Sequence, residues 1–299
     1  MSELLVVGSI AFDTIETPHG RAERVLGGSA NYFSLAASLL TKINLVGVVG
    51  QDFPEAHLDF LRARGISCDG VERREGETFN WTGRYEGDMN EAQTLEVNLN
   101  VFGNYLPTIP ESYRKSPYVF LANGSPDTQK HVLGQLDSPK FVMADTMNLW
   151  ISTQHASLLD LLKRVDALIL NDGEAKMLTD ESSTVVAGKR ILDLGPMLVI
   201  IKKGEHGAVI LARDYELVCP AYPLETVKDP TGAGDSFAGG VMGYLSFVDD
   251  ISIRSQKRAL KYGTVMSSYN CEDFSISRLK TLSRADVERR LAEFQDMLI

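Results

Sequence analysis

The chain has 299 residues, 44% of them hydrophobic and 23% charged, which is typical of a folded globular protein and not of a disordered one. Its net charge of −10 argues against a broad nucleic-acid-binding surface, although a local group of N–H donors can still bind an anion. The three cysteines have no paired spacing, and the first ten residues lack a basic start and a long apolar run. We therefore expect a cytoplasmic, reduced protein with neither a membrane nor a nucleic-acid partner.

Seven short apolar runs predict strands that are buried on both faces. The runs occupy residues 4–8, 44–50, 118–122, 141–144, 167–170, 198–201 and 208–211. Between many of them apolar residues recur at helical spacing, as in "SANYFSLAASLL" and "PEAHLDFLRARG". This alternation predicts an α/β fold with a doubly wound, mostly parallel sheet flanked by helices.

Polar residues follow several of the predicted strands, at the edge where open α/β sheets bind ligands. Asp13 comes a few residues after the first run, and Asp145 and Asn171 directly follow two later runs. Each of them can also be an N-cap or a turn residue. Because several such ends converge in a parallel sheet, we expect a shared cleft there.

Residues 77–102 have a different pattern. In "ETFNWTGRYEG" and "TLEVNLNVF" apolar residues occupy every second position, and "EGDMN" between them can turn the chain. This period of two predicts two half-exposed strands of a small projecting sheet. Such a sheet is either an ordinary hairpin at a sheet edge or a lid that excludes water from a site.

The glycine-rich stretch "DPTGAGDSFAGG" at 229–240 leads into a predicted amphipathic helix. Glycines let backbone amides approach a ligand, and a helix N-terminus adds unpaired N–H groups and the positive end of its dipole. The stretch therefore predicts a phosphate site with Asp235 at its mouth. Asp235 either accepts a proton from a hydroxyl that attacks a phosphoryl group, or merely caps the helix.

Other phosphate, nucleotide and catalytic motifs are absent from the sequence. It contains no P-loop, no G-x-G-x-x-G fingerprint, no G-x-S-x-G and no H-E-x-x-H, and its five histidines show no metal-binding spacing. These absences leave the stretch at 229–240 as the main candidate for a site.

That stretch resembles the C-terminal signature of the ribokinase family, the PfkB-type carbohydrate and nucleoside kinases. The resemblance extends over nearly the whole chain. "GGSANYFSLAASLL" is similar to the family's di-glycine signature, "LILNDGEAKMLT" to its N-x-x-E segment, and "VIIKKGEHGAVI" to its nucleotide-side strand. It implies one ribokinase-like domain over residues 1–299, with lid strands inserted at about 12–27 and 77–102.

The resemblance also implies a role for each residue that matches a family motif. The implied roles are Asp235 as catalytic base; Gly232, Ala233 and Gly234 as anion hole; Asp13, Gly28 and Asn31 as acceptor-binding residues; Lys202 and Gly204 as nucleotide-binding residues; Asn171 and Glu174 as Mg²⁺ residues acting through water; and Asp229 as a candidate monovalent-cation residue.

Three positions depart from the family pattern. Tyr32 stands where the di-glycine signature usually has Asn, with Asn31 one place earlier. Lys202 replaces a frequent Thr on the nucleotide side, where it can contact phosphate or be a surface lysine. Pro230 replaces a common second Thr and leaves the downstream N–H donors intact.

The resemblance implies an ATP- and Mg²⁺-dependent kinase that transfers the γ-phosphate to a hydroxyl of a sugar or polyol, and a homodimer paired through the lid. The alternatives are a nucleoside kinase of the same fold and a catalytically silent ligand sensor. The candidate aromatic slot for a nucleoside base consists of Trp81, Tyr85 and Tyr32, and the candidate polar set for a sugar consists of Asp13, Asn31, Arg84 and Asn98.

Overall fold

The computed structural model describes residues 3–87, 89–90 and 92–298. In chain order its strands are β1 (Glu3–Val7), β2 (Ala11–Thr17), β3 (Gly20–Gly27), β4 (Lys42–Val49), β5 (Ile66–Arg73), β6 (Asn80–Tyr85), β7 (Ala92–Asn98), β8 (Tyr118–Leu121), β9 (Phe141–Asp145), β10 (Ala167–Asn171), β11 (Leu198–Lys202), β12 (Ala208–Leu211) and β13 (Glu216–Cys219).

The helices of the described residues connect and cover these strands. They are α1 (Ser29–Ser38), α2 (Glu55–Ala63), α3 (Pro126–Leu133), α4 (Asn148–Thr153), α5 (His155–Leu162), α6 (Asp172–Thr179), α7 (Thr184–Asp193), α8 (Ala233–Val248), α9 (Ile253–Asn270), α10 (Ser277–Thr281) and α11 (Arg284–Met297). Short 3₁₀ turns occupy Asn100–Phe102, Glu111–Tyr113 and Gly204–His206.

The large sheet has the strand order β13-β12-β11-β10-β9-β8-β1-β4-β5. From β11 to β5 all neighbours are parallel, whereas β12 and β13 are added antiparallel. Each of the seven apolar runs forms a strand of this sheet, and its doubly wound, mostly parallel architecture confirms the predicted fold class.

The sequence analysis missed β5 and β13, which are the two edge strands of the large sheet. Their side chains alternate between buried and more exposed positions, because an edge strand is covered less completely than a central one. Neither strand therefore contains a continuous apolar run.

Helices cover both faces of the large sheet. One buried cluster joins the sheet to α1, α2, α8, α9 and α11, and a second joins the other face to α3, α5, α6 and α7. Helix α8 packs closely against α1, since a Cβ on Gly239 would lie 2.5 Å from the carbonyl oxygen of Phe33. This contact fixes the position of the N-terminus of α8 over the sheet.

The four remaining strands form a small second sheet, which we call the lid, in the order β3-β2-β6-β7. Its outer pairs are antiparallel and its central pair, β2 and β6, is parallel. Its inner face buries Ile15, Tyr85 and Met89, and Leu95 and Val97 on β7 are exposed. The predicted turn at 86–90 includes residue 88, which lies outside the described residues.

None of the helices in the described part of the chain combines the length and apolar character needed to cross a membrane. That residues 1–299 form a single domain stays a prediction.

Candidate active site

The acceptor side of the cleft contains Asp13 on β2. Its carboxylate packs against the backbone of β3, where a Cβ on Gly27 would lie 1.9 Å from Asp13 Oδ2. Tyr32 donates its hydroxyl to Asp13 Oδ2 at 3.4 Å, and the N–H of Gly28 also donates to this carboxylate. Burial and, after it, the nearby carboxylate of Asp229 raise the pKa of Asp13 to about 7.

Tyr32 links the acceptor side to the start of α8. Its side chain is 1% exposed, and its ring lies against Gly232, where a Cβ would be 2.3 Å from the ring carbon Cδ1. Burial, followed by the charge of Asp13, raises the pKa of Tyr32 well above its ordinary value, so its hydroxyl remains a proton donor. Tyr32, which departs from the family pattern, thus lies between the acceptor side and the start of α8.

Gly28 and Asn31 shape the turn beneath Asp13. Gly28 caps α1 with φ 93°, and a Cβ there would lie 2.5 Å from the carbonyl oxygen of Ser9. The side chain of Asn31 is fully buried and donates to the carbonyl oxygen of Gly27 at 2.5 Å. Its Oδ1 is buried and has no hydrogen-bond partner among the described residues. Asn31 therefore supports the di-glycine turn from below.

The N-terminus of α8 opens toward the cleft. Gly232 caps the helix with φ 74°, a left-handed conformation that favours glycine, and residues 232–235 are partly exposed. The N–H of Ala233 donates to Pro230 O at 3.0 Å, whereas none of the hydrogen bonds of the described residues takes up the N–H of Gly234. The turn is therefore accessible, and Gly234 offers a free amide donor.

Asp235 lies in the first turn of α8, next to this amide. Burial and, to a smaller extent, the carboxylates of Asp145 and Glu174 raise its pKa to about 7, although the ammonium of Lys202 opposes this shift. A carboxyl group whose pKa lies near neutrality is suited to accept a proton from an alcohol.

Lys202, at the end of β11, lies inside the cleft and is not a surface lysine. Its Nζ is 3.6 Å from Asp145 Oδ2, and the two side chains are 19% and 6% exposed. A Cβ on Gly234 would lie 3.0 Å from Nζ, so the ammonium group faces the N-terminus of α8. Burial lowers the pKa of Lys202, but Asp145, Glu174 and Asp235 together raise it above its ordinary value.

Asn171 and Glu174 begin α6 as a capping box. Asn171 Oδ1 accepts from the N–H of Glu174 at 2.8 Å, and Glu174 Oε2 accepts from the N–H of Asn171 at 2.7 Å. Burial raises the pKa of Glu174 to about 7, although Lys202 opposes this shift. The N-x-x-E motif therefore has a structural role in this protein, alongside its predicted role toward Mg²⁺.

The side-chain oxygens of Asn171 and Glu174 fit a Mg²⁺ ion that is held through water. In the ranges 3–87, 89–90 and 92–298, no group of three or more His, Cys, Asp or Glu side chains is arranged to hold a metal ion directly. Mg²⁺ usually keeps several waters and is bound by one or two carboxylates together with substrate phosphates. Glu174, with Oε2 engaged in the capping box, can supply such an outer contact.

The remaining predicted residues lie on either side of this centre. Asp229 is fully buried, and its two carboxylate oxygens accept the N–H groups of Thr231 and Ser275 at 2.8 and 2.7 Å. Burial is the main cause of its raised pKa. Gly204 begins the turn after β11 with φ 54°, and a Cβ there would lie 2.6 Å from Oδ1 of Asn90 in the lid. The lid therefore reaches the predicted nucleotide side of the cleft.

A small cavity adjoins the acceptor side. It has a volume of about 60 Å³, and its lining includes Gly8, Leu99, Phe102, Gln129 and Trp150. Gly8 touches the segment after the di-glycine turn, because a Cβ on it would lie 3.2 Å from the hydroxyl oxygen of Ser29. The cavity thus has an aromatic wall and, at Gly8, a contact with the start of α1 directly after the di-glycine turn.

The two candidate sets for the acceptor do not assemble as predicted. Trp81 packs over Gly83 on the lid, and Tyr32 and Tyr85 are buried, so these rings form no open slot. Arg84 is paired with Glu16. In the polar set, Asn98 donates to Asn80 and Glu96 on the lid. Of this set, only Asp13 and the turn that Asn31 supports remain as candidates to contact an acceptor in the cleft.

Sequence reasoning missed three relationships: the Asp145–Lys202 pair, the contact of Tyr32 with Gly232, and the place of Trp150 in the cavity wall. Only the first had a signal, because Asp145 and Lys202 both end predicted strands. The other two depend on the packing of distant segments, which no local pattern contains.

Comparison with known proteins decides the family. The family described as "pfkB family carbohydrate kinase" matches residues 1–276. The chain belongs to this family. A curated relative, the cytidine kinase of Thermococcus kodakarensis, is 31% identical over 249 residues, which cover 81% of this chain and 88% of the relative. The predicted enzyme class is therefore confirmed: the protein is an ATP-dependent sugar or nucleoside kinase that uses a hydroxyl group as acceptor.

Solved structures of other kinases have the same fold. The nucleoside kinase of Burkholderia thailandensis in complex with inosine is 22% identical, covers 97% of this chain and 98% of that chain, and gives a TM-score of 0.77. A putative ribokinase II from E. coli in complex with ATP and Mg²⁺ is 18% identical, covers 98% and 100%, and gives a TM-score of 0.79. Both likenesses support the fold with its lid.

Proposed function

We propose that this pfkB protein is a nucleoside kinase that phosphorylates a ribose hydroxyl of its acceptor at the expense of ATP. The observation that carries the proposal is the aromatic-lined cavity beside the di-glycine turn. A free sugar or polyol would use Asp13 and leave this apolar wall without a partner, whereas a nucleoside would use both. The similarity to a cytidine kinase supports the same choice.

The size of the cavity favours a small base. Its volume of about 60 Å³ is far below the roughly 300–1,000 Å³ typical of whole ligand pockets, so it accommodates only part of an acceptor. A pyrimidine is the smaller of the two base types and presents a planar face to Trp150 and Phe102. We therefore expect a pyrimidine ribonucleoside to be the preferred acceptor.

The reaction follows from the positions of the two carboxylates. Asp13 and the di-glycine turn bind the sugar hydroxyls, and the lid excludes water from the cleft. The acceptor hydroxyl transfers its proton to Asp235 as its oxygen forms a bond to the γ-phosphorus. The bond from that phosphorus to the β–γ bridging oxygen breaks, and its electron pair leaves with ADP. The N–H of Gly234 and the dipole of α8 stabilise the charge on the transferred group.

Two ions accompany this proposal. When bound, Mg²⁺ offsets the charge of the ATP phosphates, and Asn171 and Glu174 would hold its waters. A monovalent cation near Asp229 stays a prediction. Both carboxylate oxygens of Asp229 already accept backbone N–H groups in the structure. The dependence of turnover on K⁺ and Na⁺ at constant ionic strength tests this predicted cation site. The cytoplasmic location also stays a prediction.

A screen of acceptors tests the proposed function. ADP release is measured with cytidine, uridine, adenosine, inosine, ribose, fructose and myo-inositol under identical conditions. We expect kcat/KM for at least one pyrimidine ribonucleoside to exceed that of every free sugar by about 10²-fold, because base contacts of a few kcal/mol are lost with a sugar. A sugar or inositol that is the best acceptor would overturn the nucleoside proposal and leave the kinase assignment intact.

The two tryptophans of the chain provide a matched binding test. Trp150 lines the cavity, whereas Trp81 lies on the lid. In a Trp81→Phe variant the fluorescence reports on Trp150 alone, and we expect nucleoside but not ribose to quench it. In a Trp150→Phe variant the remaining Trp81 should respond weakly. The reverse pattern would place the base on the lid.

We also propose that the lid pairs two copies of the chain. Leu95 and Val97 on edge strand β7 are 43% and 47% exposed, and an exposed apolar edge strand favours pairing with another strand. Light scattering after size exclusion should give a dimer, which Val97→Lys should convert to a monomer. Val218→Lys on β13, the edge strand of the large sheet, is the matched control. A monomeric wild-type chain would contradict the proposal.

A further inference from the structure

Lys202 is a single cation among several carboxyl groups. Asp145 is its direct partner at 3.6 Å, and the charges of Glu174 and Asp235 also act on it. One ammonium group therefore faces three carboxyl groups beside the N-terminus of α8, where the proposed function places the transferred phosphate. Without a cation, this cluster would repel the anion that it has to bind.

The ammonium group also lies close to Gly234, which has a free amide at the start of α8. Nζ lies 3.0 Å from the position of a Cβ on Gly234, whose N–H has no acceptor among the described residues. Asp235, the proposed base, is the next residue of the same helical turn. A phosphoryl group that passes from ATP to the acceptor beside Asp235 would therefore lie within reach of both donors.

We propose that Lys202 is a catalytic residue that contacts the transferred phosphoryl group, and that Asp145 is the positioning residue that holds its ammonium group in place before ATP binds. This role rests on the kinase activity of the protein. Lys202 moves no proton: the acceptor proton goes to Asp235, and the electron pair of the broken P–O bond leaves with ADP. The ammonium group instead stabilises the charge on the γ-phosphate oxygens during transfer.

A purely structural role is the competing explanation, in which Lys202 only neutralises the carboxylates of the cluster. The two explanations predict different effects of removing Lys202 on the affinities for ATP and ADP. A residue that contacts the transferred group interacts with the γ-phosphate, which ADP lacks. A residue that only neutralises the cluster affects both nucleotides to a similar extent, because its removal changes the general potential of the cleft.

The first experiment therefore compares nucleotides. Lys202→Met removes the charge, Lys202→Arg keeps it, and Lys189→Met, on the surface of α7, is the matched control. By calorimetry with the full chain, Lys202→Met should weaken ATP binding about tenfold and ADP binding less than twofold. With the best acceptor its kcat should fall about 10²–10³-fold, as for the loss of one donor to a transferred group, with an unchanged acceptor KM. Lys202→Arg should recover part of kcat.

The second experiment tests Asp145 by a double-mutant cycle with Asp145→Asn and Lys202→Met. Because Asp145 acts through Lys202, Asp145→Asn should lower kcat about tenfold in the wild type and less than twofold in the Lys202→Met background. The double variant removes one charge of each sign, so it also provides a folded reference if Lys202→Met alone is unstable. Melting temperatures of all variants accompany the rates.

The outcomes separate the claims. A near-normal kcat of Lys202→Met, or equal losses of ATP and ADP affinity, would overturn the catalytic role of Lys202. If Asp145→Asn lowers kcat by the same factor in the wild type and in the Lys202→Met background, the positioning role of Asp145 would be overturned. Failure of the wild-type protein to release ADP with any acceptor would instead refute the proposed function, which is a different result from an active wild type with an equally active Lys202→Met.

Discussion

The acceptor side and the phosphate side of the cleft contain similar carboxyl groups with different partners. Asp13 and Asp235 are both buried enough that their pKa values rise to about 7. Asp13 is bound by neutral donors, the hydroxyl of Tyr32 and the N–H of Gly28, whereas Asp235 is close to the ammonium group of Lys202. The acceptor side therefore suits a neutral molecule with hydroxyl groups, and the phosphate side suits an anion.

The difference also reflects where the two sides originate in the chain. The acceptor side comes from β2, β3 and α1, and the phosphate side from the ends of β9, β10 and β11 and from α8. Tyr32 joins them, because its hydroxyl bonds to Asp13 and its ring covers Gly232. Changes on the phosphate side should therefore affect chemistry, and changes on the acceptor side should affect acceptor binding.

The largest expected effect is on the phosphate side. Asp235→Asn removes the proton acceptor and keeps the shape of the side chain, so kcat should fall about 10²–10⁴-fold with little change in ATP affinity. Steady-state rates and calorimetry measure the two quantities. The exposed Asp214→Asn is the control and should behave as the wild type. Near-normal turnover of Asp235→Asn would refute the assignment of this residue as the base.

A smaller effect is expected where the two sides meet. Gly232→Ala introduces a methyl group 2.3 Å from the ring of Tyr32 at a residue with φ 74°. The start of α8 must then shift, and a misplacement of about 1 Å can cost about 10²-fold in kcat. In a Tyr32→Leu background the same substitution should cost several-fold less. An equal loss in both backgrounds would show that backbone strain, and not this ring, causes the effect.

On the acceptor side, Tyr32→Phe removes only the hydroxyl that bonds to Asp13. Without this hydroxyl the carboxyl group of Asp13 loses a donor that positions it, so the KM of the acceptor should rise about tenfold, which corresponds to about 1.4 kcal/mol of binding free energy. The KM of ATP should stay unchanged, which a general loss of structure would not produce. Tyr113→Phe, which removes a hydroxyl bonded to Ser67, is a matched control. A parallel rise in both KM values would contradict the division between the two sides.

The last prediction concerns stability and not turnover. The pKa of Asp13 is about 7 in the folded protein and about 4 in an unfolded chain, so the folded state favours the protonated form. Its contribution to stability is full below pH 4 and is lost as the pH rises to 7. Asp13→Asn should therefore be more stable than the wild type at pH 8, by roughly 2–4 kcal/mol. At pH 5 the gain in stability should be smaller. Urea denaturation at both pH values measures this difference, and equal gains would contradict it.

The sequence allowed much of the fold to be predicted, because buried central strands such as β1 and β10 are continuous apolar runs. It failed at the edge strands, where one side is exposed. In the site, one segment contains Asp235 and the glycine turn, so the sequence alone could predict that they lie together. The environment of Lys202 was not predictable, since its partner Asp145 lies 57 positions earlier and only the parallel register of β9, β10 and β11 brings them together.

The proposed reaction is a direct transfer from ATP to the acceptor hydroxyl, with Asp235 as a base and not as a nucleophile. The stereochemical course at phosphorus tests it most directly, with ATP made chiral at the γ-phosphate by oxygen isotopes and sulfur, and with the best acceptor from the screen. A single in-line displacement predicts inversion of configuration. Retention would indicate two successive displacements through a phosphorylated enzyme and would contradict the role given to Asp235.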